Sequence, residues 1–332
     1  MNRKKLIINA LIIAVTIIFT YNFVYKEIDF GQIVLSLKNV NFGYLVLGLS
    51  CMLIFVICEG LNILRTLKIK GKNKGFRHIK YAAAGFFFGS ITPSATGGQP
   101  MQIMLMKRDG NEIGFSALAL LTEAASYQLS GLMLSGFAIC YYAFSAVSMP
   151  MIAKILFTVG LTANSLVFLF CIMTVFRLEY VESLLNLIKK LKLIRLENYI
   201  SRMEKKVQKY KGLGGIIKRN KKELVFMQIT SLIKVIAYNS ISLIVCLALG
   251  ISVNPILIII IQSIVNASVS MIPSPGAIGA NESVSLILYS QIIAGPLVGT
   301  VMILSRLISY YIPVLVTGIM ILFSMTVIDK TA

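Results

Sequence analysis

The chain is 332 residues long, 57% of them hydrophobic and only 14% charged, and it carries a formal net charge of +19. That balance excludes a soluble globule and marks an integral membrane protein, because the apolar runs exceed the roughly 20 residues that span a hydrocarbon core as helix. The positive charges lie in blocks between apolar runs, where they set topology and meet the anionic membrane surface, which argues against nucleic acid as the partner.

The first apolar span runs over 6–25 behind Arg3, Lys4 and Lys5. It is too long for a signal peptide, and no small-residue cleavage site follows, so it is expected to stay as an anchor. The second span, 43–64, carries Glu59, which is expected to pair with Arg65. Behind it stand Arg65, Lys68, Lys70, Lys72, Lys74, Arg77 and Lys80, a basic block that the positive-inside rule places in the cytoplasm. His78, the single histidine, falls in that block and is expected to be solvated.

The segment "GSITPSATGGQPMQ", Gly89 to Gln102, then interrupts an apolar piece near 79–91 with Pro93, Gly97, Gly98 and Pro100. Such breakers end a helix, and Lys107 and Arg108 return the chain to the cytoplasmic side. About 10 residues of helix reach roughly 15 Å, half of a 30 Å core, so a re-entrant turn over 92–100 is expected near mid-depth. Spans over 113–143 and 151–176 follow, joined by the uncharged "AFSAVSMP" on the outer side.

Between residues 177 and 223 there are fourteen Lys/Arg against five Asp/Glu. Leu184, Leu187, Ile188, Leu191 and Ile194 recur there at helical spacing, which predicts a cytoplasmic amphipathic segment over 177–222 lying on anionic lipid. A span over 224–249 and an apolar piece over 255–271 lead to "SMIPSPGAIGANES", Ser270 to Ser283, whose Pro-Ser start and following glycines repeat the first break. The preceding span runs outward, so a second re-entrant turn over 272–282 enters from the opposite face. A last span covers 297–326.

The expected fold is therefore an all-α polytopic membrane protein. About six transmembrane helices and two oppositely oriented re-entrant helical hairpins form an inverted repeat within one domain, 1–332, in two halves, 1–176 and 223–332. Both termini face the cytoplasm. Broken helices that meet at mid-depth are how transporters build substrate sites. The same breaks would also fit ordinary kinks in packed helices.

The candidate substrate site follows from that geometry. Half-helices leaving the turns begin with unpaired N–H groups at a positive dipole end, which welcomes anions. Gly97, Gly98, Gly276 and Gly279 let backbone approach a head group, while Ser94, Thr96, Gln99, Ser274 and Asn281 offer neutral hydrogen bonds. Glu123, Lys234, Glu282 and Arg306 are ionisable residues at mid-depth. They are either two buried ion pairs that fix packing or a set in which Arg306 and Lys234 hold a phosphate while the carboxylates balance them. Cys51, Cys58, Cys140, Cys171 and Cys246 are scattered singly, as small core residues. No metal site, cofactor motif or catalytic arrangement is legible.

With "TPSATGGQP", "LLTEAASYQLSGL", "MIPSPGAIGANES" and "LSRLISYYIPVLVTGI" in view, the chain resembles, over nearly its whole length, the lysylphosphatidylglycerol synthase transmembrane, flippase-like family of bacteria. In two places it departs from that family's pattern. Gln99 and Gln102 stand where the family usually has an acidic residue and an arginine, and Ala124 where an arginine commonly follows the span glutamate. The resemblance implies a translocase of the bacterial cytoplasmic membrane moving an anionic or aminoacylated phospholipid such as lysylphosphatidylglycerol, or a related lipid-linked substrate. Phosphatidylglycerol lysyltransferase activity, linked to cationic peptide resistance, is the alternative from the enzyme class, and a non-transporting membrane partner of a separate lipid or glycan synthase is the third reading. A separate cytoplasmic synthase domain makes the lipid in two-part members resembling multiple peptide resistance factors. The chain ends at Ala332, so no transfer activity is expected of it alone, and a separate synthase subunit or a second copy are the expected protein partners.

Overall fold

The computed structural model describes residues 38, 40–69, 77–144, 149–176, 213–270, 272–293, 295 and 297–329. All regular structure among them is helical: α1 (Phe42–Lys68), α2 (Arg77–Ser90), α3 (Gly98–Arg108), α4 (Ile113–Phe144), α5 (Met151–Phe176), α6 (Leu213–Arg219), α7 (Lys221–Ala248), α8 (Pro255–Val269), α9 (Ala280–Tyr289), α10 (Leu297–Arg306) and α11 (Ile312–Asp329). A π-helical turn over Leu307–Tyr311 joins the last two. The expected first span over 6–25 and the amphipathic run from Leu184 to Ile194 lie outside the described residues.

Four of these stretches are long and apolar enough to cross a membrane: Phe42–Lys68, Met151–Phe176, Lys221–Ala248 and Leu297–Ser324. The 32-residue α4 is long enough as well. Thr122, Glu123, Ser126, Gln128, Ser130 and Ser135 lower its hydropathy, and it is not among the four. Most of these polar groups turn inward: Thr122, Glu123, Ser126, Ser130 and Ser135 are buried. Outside, α5 shows Ile152, Ile155, Val159, Leu166, Leu169 and Phe170, and α11 shows Leu315, Val316, Ile319, Leu322 and Phe323. An apolar exterior around a polar interior fits a bilayer as solvent.

The centre is α8, whose Ile258, Ile261, Ile264 and Val265 are wholly buried. Asn254 caps its start, accepting from the N–H groups of Ile256 and Leu257. α5 crosses α8 at Gly160, where an added Cβ would stand 2.0 Å from the Ala267 carbonyl oxygen, so only glycine permits the approach. One turn on, the Asn164 side chain donates to Ser270 Oγ at 2.9 Å and fixes the crossing. α1 and α7 run antiparallel: Asn41 N–H donates to the Ala248 carbonyl at one end, and Arg65 pairs with Glu223 at 2.9 Å at the other.

Several local expectations are corrected. His78 is 8% exposed at the start of α2, against Gly60 of α1, because the helix begins at Arg77 and draws the imidazole inward. Cys140 is exposed, unlike buried Cys58, Cys171 and Cys246. Glu59 does not meet Arg65. Six residues along a helix is about 600° of rotation, or 240° net, so the two side chains leave α1 in different directions.

Candidate functional site

The two helix breaks meet. Pro93 and Pro275 form an antiparallel bridge, the single isolated bridge among the described residues. Each proline stands five residues before a helix, α3 at Gly98 and α9 at Ala280. The residues after them share a left-handed conformation: φ is 50° at Ser94 and 55° at Ala95, 60° at Gly276 and 52° at Ala277. The two turns are therefore copies with Pro93 equivalent to Pro275. The repeated Pro-Ser in the sequence suggests Pro273 instead, two residues out of register. In the true register Gln99 matches Asn281 and Pro100 matches Glu282.

The copies differ in how they are finished. In the first, the Gly97 N–H donates to Thr92 Oγ1 at 2.9 Å, and Thr96 Oγ1 donates to the Pro93 carbonyl at 2.9 Å. In the second, the Gly279 N–H donates to Glu282 Oε2 at 2.6 Å, a charged cap on the start of α9. The N-cap amides of Gly97 and Gly279 are thus already partnered within their own turns. The first turn is also open, with Ser94, Thr96 and Gln99 exposed and only Gly98 buried. In the second, Gly279, Asn281 and Glu282 are buried, and Ser274, half-buried, donates its hydroxyl to the Ile278 carbonyl at 3.3 Å.

Arg306 finishes the second turn from below. Its Nε donates to Glu282 Oε1 at 2.7 Å and an Nη to the Gly276 carbonyl at 2.9 Å. The guanidinium also lies 4.6 Å from the centre of the Tyr310 ring. That tyrosine fills the space a Cβ on Gly276 would need, 2.2 Å away, while its hydroxyl donates to the Ser90 carbonyl at 2.9 Å. One side chain thereby touches both breaks. It can do so because the π-helical turn shifts the positions after Arg306, a distortion often found at functional sites.

Beside Arg306 lies a cavity about the size of one water molecule, lined by Tyr238, Ser242, Gln262, Asn281, Ser285 and Ser305 among others. Ser305 Oγ is buried without a partner. A hydrogen-bonded group closes one wall: Tyr289 donates to Ser242 Oγ at 2.7 Å, and Ser242 to Gln262 Oε1 at 2.8 Å. Gln262 passes the chain on to Asn266 at 3.2 Å, and Asn266 to Asn239 at 2.6 Å.

Lys234 and Glu123 are brought together, but away from Arg306. Lys234 Nζ donates to Glu123 Oε1 at 2.7 Å and to Glu59 Oε2 at 3.3 Å. Phe55 and Tyr127 place their ring centres 4.7 and 4.5 Å from the ammonium. Gln102 Nε2 donates to the other oxygen of Glu59 at 3.0 Å, which ties α3 into the cluster. Sequence reasoning missed Glu59, Gln102, Gln262, Tyr289 and Tyr310 as parts of these sites. Only Glu59 left a usable signal, since helical rotation excludes the partner expected for it.

Comparison with known proteins gives the family. The profile described as the lysylphosphatidylglycerol synthase TM region matches residues 6–317. A UPF0104 membrane protein of Archaeoglobus fulgidus is 24% identical over 321 residues, covering 94% of each chain. The chain belongs to the lysylphosphatidylglycerol synthase TM region family and is a membrane protein.

Proposed function

We propose that this chain is a lipid translocase, carrying an anionic or aminoacylated phospholipid such as lysylphosphatidylglycerol, or a related lipid-linked substrate, between leaflets of a bacterial cytoplasmic membrane. In this reading about six helices span the bilayer, α1, α4, α5, α7 and α10–α11 among them. The pairs α2–α3 and α8–α9 enter from opposite faces as an inverted repeat, with both termini cytoplasmic.

The observation that carries the reading is the meeting of the two copies at Pro93 and Pro275 inside an apolar helical body. Irregular backbone is tolerated at membrane depth where protein buries it or where it lines a path, and paired broken helices are the transporter form of that rule. The orientation is supported by charge: the Arg65–Glu223 pair brings Arg65 and Lys68 of α1 to the end where Lys218, Arg219, Lys221 and Lys222 stand. Arg306 is the side chain suited to a lipid phosphate, since its fork can exchange the Gly276 carbonyl for a phosphate oxygen while keeping Glu282. Ser94, Thr96 and Gln99 offer hydrogen bonds at the open turn.

The test is to purify the protein, identify co-purifying lipids by mass spectrometry, and follow leaflet exchange of tagged phosphatidylglycerol and lysylphosphatidylglycerol in proteoliposomes. Exchange faster than in protein-free liposomes is expected. Equal rates for every co-purifying lipid would overturn the reading.

A further inference from the structure

One face of α7 is polar along almost its whole length. Glu223, Thr230, Lys234, Tyr238 and Ser242 follow one another at steps of four or seven residues, the helical repeat, and Ser231 stands beside Thr230, three residues before Lys234. From Glu223 to Ser242 this seam covers roughly 28 Å at 1.5 Å per residue, about the thickness of a hydrocarbon core. It is continued by neighbours rather than by α7 alone. Asn62 of α1 donates to Ser231 Oγ at 2.9 Å and accepts from Thr230, Glu59 stands one turn away, and Ser242 opens the hydrogen-bonded group that ends at Asn239. A packed apolar interface would have sufficed to join α1 and α7, so a run of polar groups at this depth, interrupted by buried Met227, calls for a reason.

The middle of the seam has a charge mismatch. Two carboxylates, Glu59 and Glu123, face one ammonium, Lys234. The other groups turned to them are neutral. Gln102 comes from α3, Tyr127 from α4, Tyr238 from α7, and Cys58 and Cys171 from α1 and α5, while α8 contains no ionisable residue. With both carboxylates ionised, the cluster keeps one uncompensated negative charge at depth, which is the costly state in an apolar medium. A metal ion is a poor remedy because Lys234 Nζ already occupies the point between the carboxylates, 2.7 and 3.3 Å from their oxygens. A proton needs no such space.

We propose that Glu59 and Glu123 share one exchangeable proton against Lys234, and that the α7 seam conducts this proton across the membrane in exchange with lipid movement. The coupling to lipid rests on the translocase reading. The proton enters from one aqueous face, converts one carboxylate to the acid, and leaves to the other face as that carboxylate re-forms, so the cluster returns to its starting charge in each cycle. Lys234 stays charged throughout and moves between the two carboxylates as their charges change.

The experiment uses the full chain in proteoliposomes with tracer fluorescent phosphatidylglycerol, the pH dye pyranine trapped inside, and the membrane potential clamped with valinomycin and potassium. For one proton per lipid, a gradient of one pH unit drives up to about a tenfold leaflet asymmetry of the tracer, reversing with the sign of the gradient. Glu123→Gln is expected to abolish both the asymmetry and the protein-dependent proton flux. Glu59→Gln, at a position with 14% side-chain exposure, tests the same point should the deeper variant fail to fold. Tracer that equilibrates without regard to the gradient, with no proton flux, overturns the proton proposal and leaves the translocase standing. Proton flux that depends on Glu123, without movement of phosphatidylglycerol or of any co-purifying lipid used as tracer, upholds the proton site and overturns the translocase reading. Absence of both with every such tracer overturns both.

Discussion

The pair between Arg306 and Glu282 can be weighed by a double-mutant cycle. Arg306→Gln leaves the wholly buried Glu282 carboxylate with the Gly279 N–H as its remaining partner. Removing one member of a buried pair costs about 3–5 kcal/mol, largely because the other charge is stranded. Glu282→Gln is milder, since the amide oxygen still accepts from Gly279 N–H or Arg306 Nε and the guanidinium keeps the Gly276 carbonyl at 2.9 Å. Loss of one charge-assisted hydrogen bond costs about 1.5–3 kcal/mol. The double variant strands no charge and keeps the cap, so about 1–2 kcal/mol is expected to remain. The two single effects therefore exceed the double effect by at least about 2 kcal/mol, a coupling within the range for residues in direct contact. The chain has no tryptophan, so unfolding in mixed micelles is followed by far-UV circular dichroism. Additivity within about 0.5 kcal/mol would refute the reasoning, because it would mean that neither charge senses the loss of the other.

Arg306→Lys keeps the charge but cannot reach Glu282 and the Gly276 carbonyl together in a planar fork, so lipid exchange is expected to fall about tenfold or more with the helix content of the folded state retained; unchanged exchange would remove the phosphate role. Gly276→Ala meets the Tyr310 ring at 2.2 Å at a φ of +60° and is expected to destabilise by at least about 2 kcal/mol, whereas Gly131→Ala, with nothing within 4 Å, is expected to be neutral or slightly stabilising in the same unfolding assay. In a background without the five native cysteines, Ser94→Cys is expected to react with small polar thiol reagents faster than Ser274→Cys, because the first turn is exposed and the second half-buried; equal protection of both would contradict the open first turn.

Composition and helical period were enough to read the membrane class, the long helices and the two places where helix had to stop. These are local properties: Pro93, Gly97 and Pro100 forbid or weaken continuous helix whatever surrounds them, and so do Pro273, Pro275 and Gly276. The same local logic marked Glu123, Lys234, Glu282 and Arg306, since an ionisable residue in an apolar run is conspicuous in any context. Partner choice is a different kind of fact. Glu59 meets Lys234 across a separation of 175 residues, Gln102 reaches Glu59, and Tyr310 touches both breaks although 220 residues separate it from Ser90. No period along one helix carries that information, because it depends on which faces of α1, α3, α4 and α7 are turned together by packing. The register of the two turns shows the limit at its smallest scale. The repeated Pro-Ser aligns Pro93 with Pro273, yet backbone geometry matches it to Pro275, because the left-handed residues and the following helix, rather than the letters, define the turn.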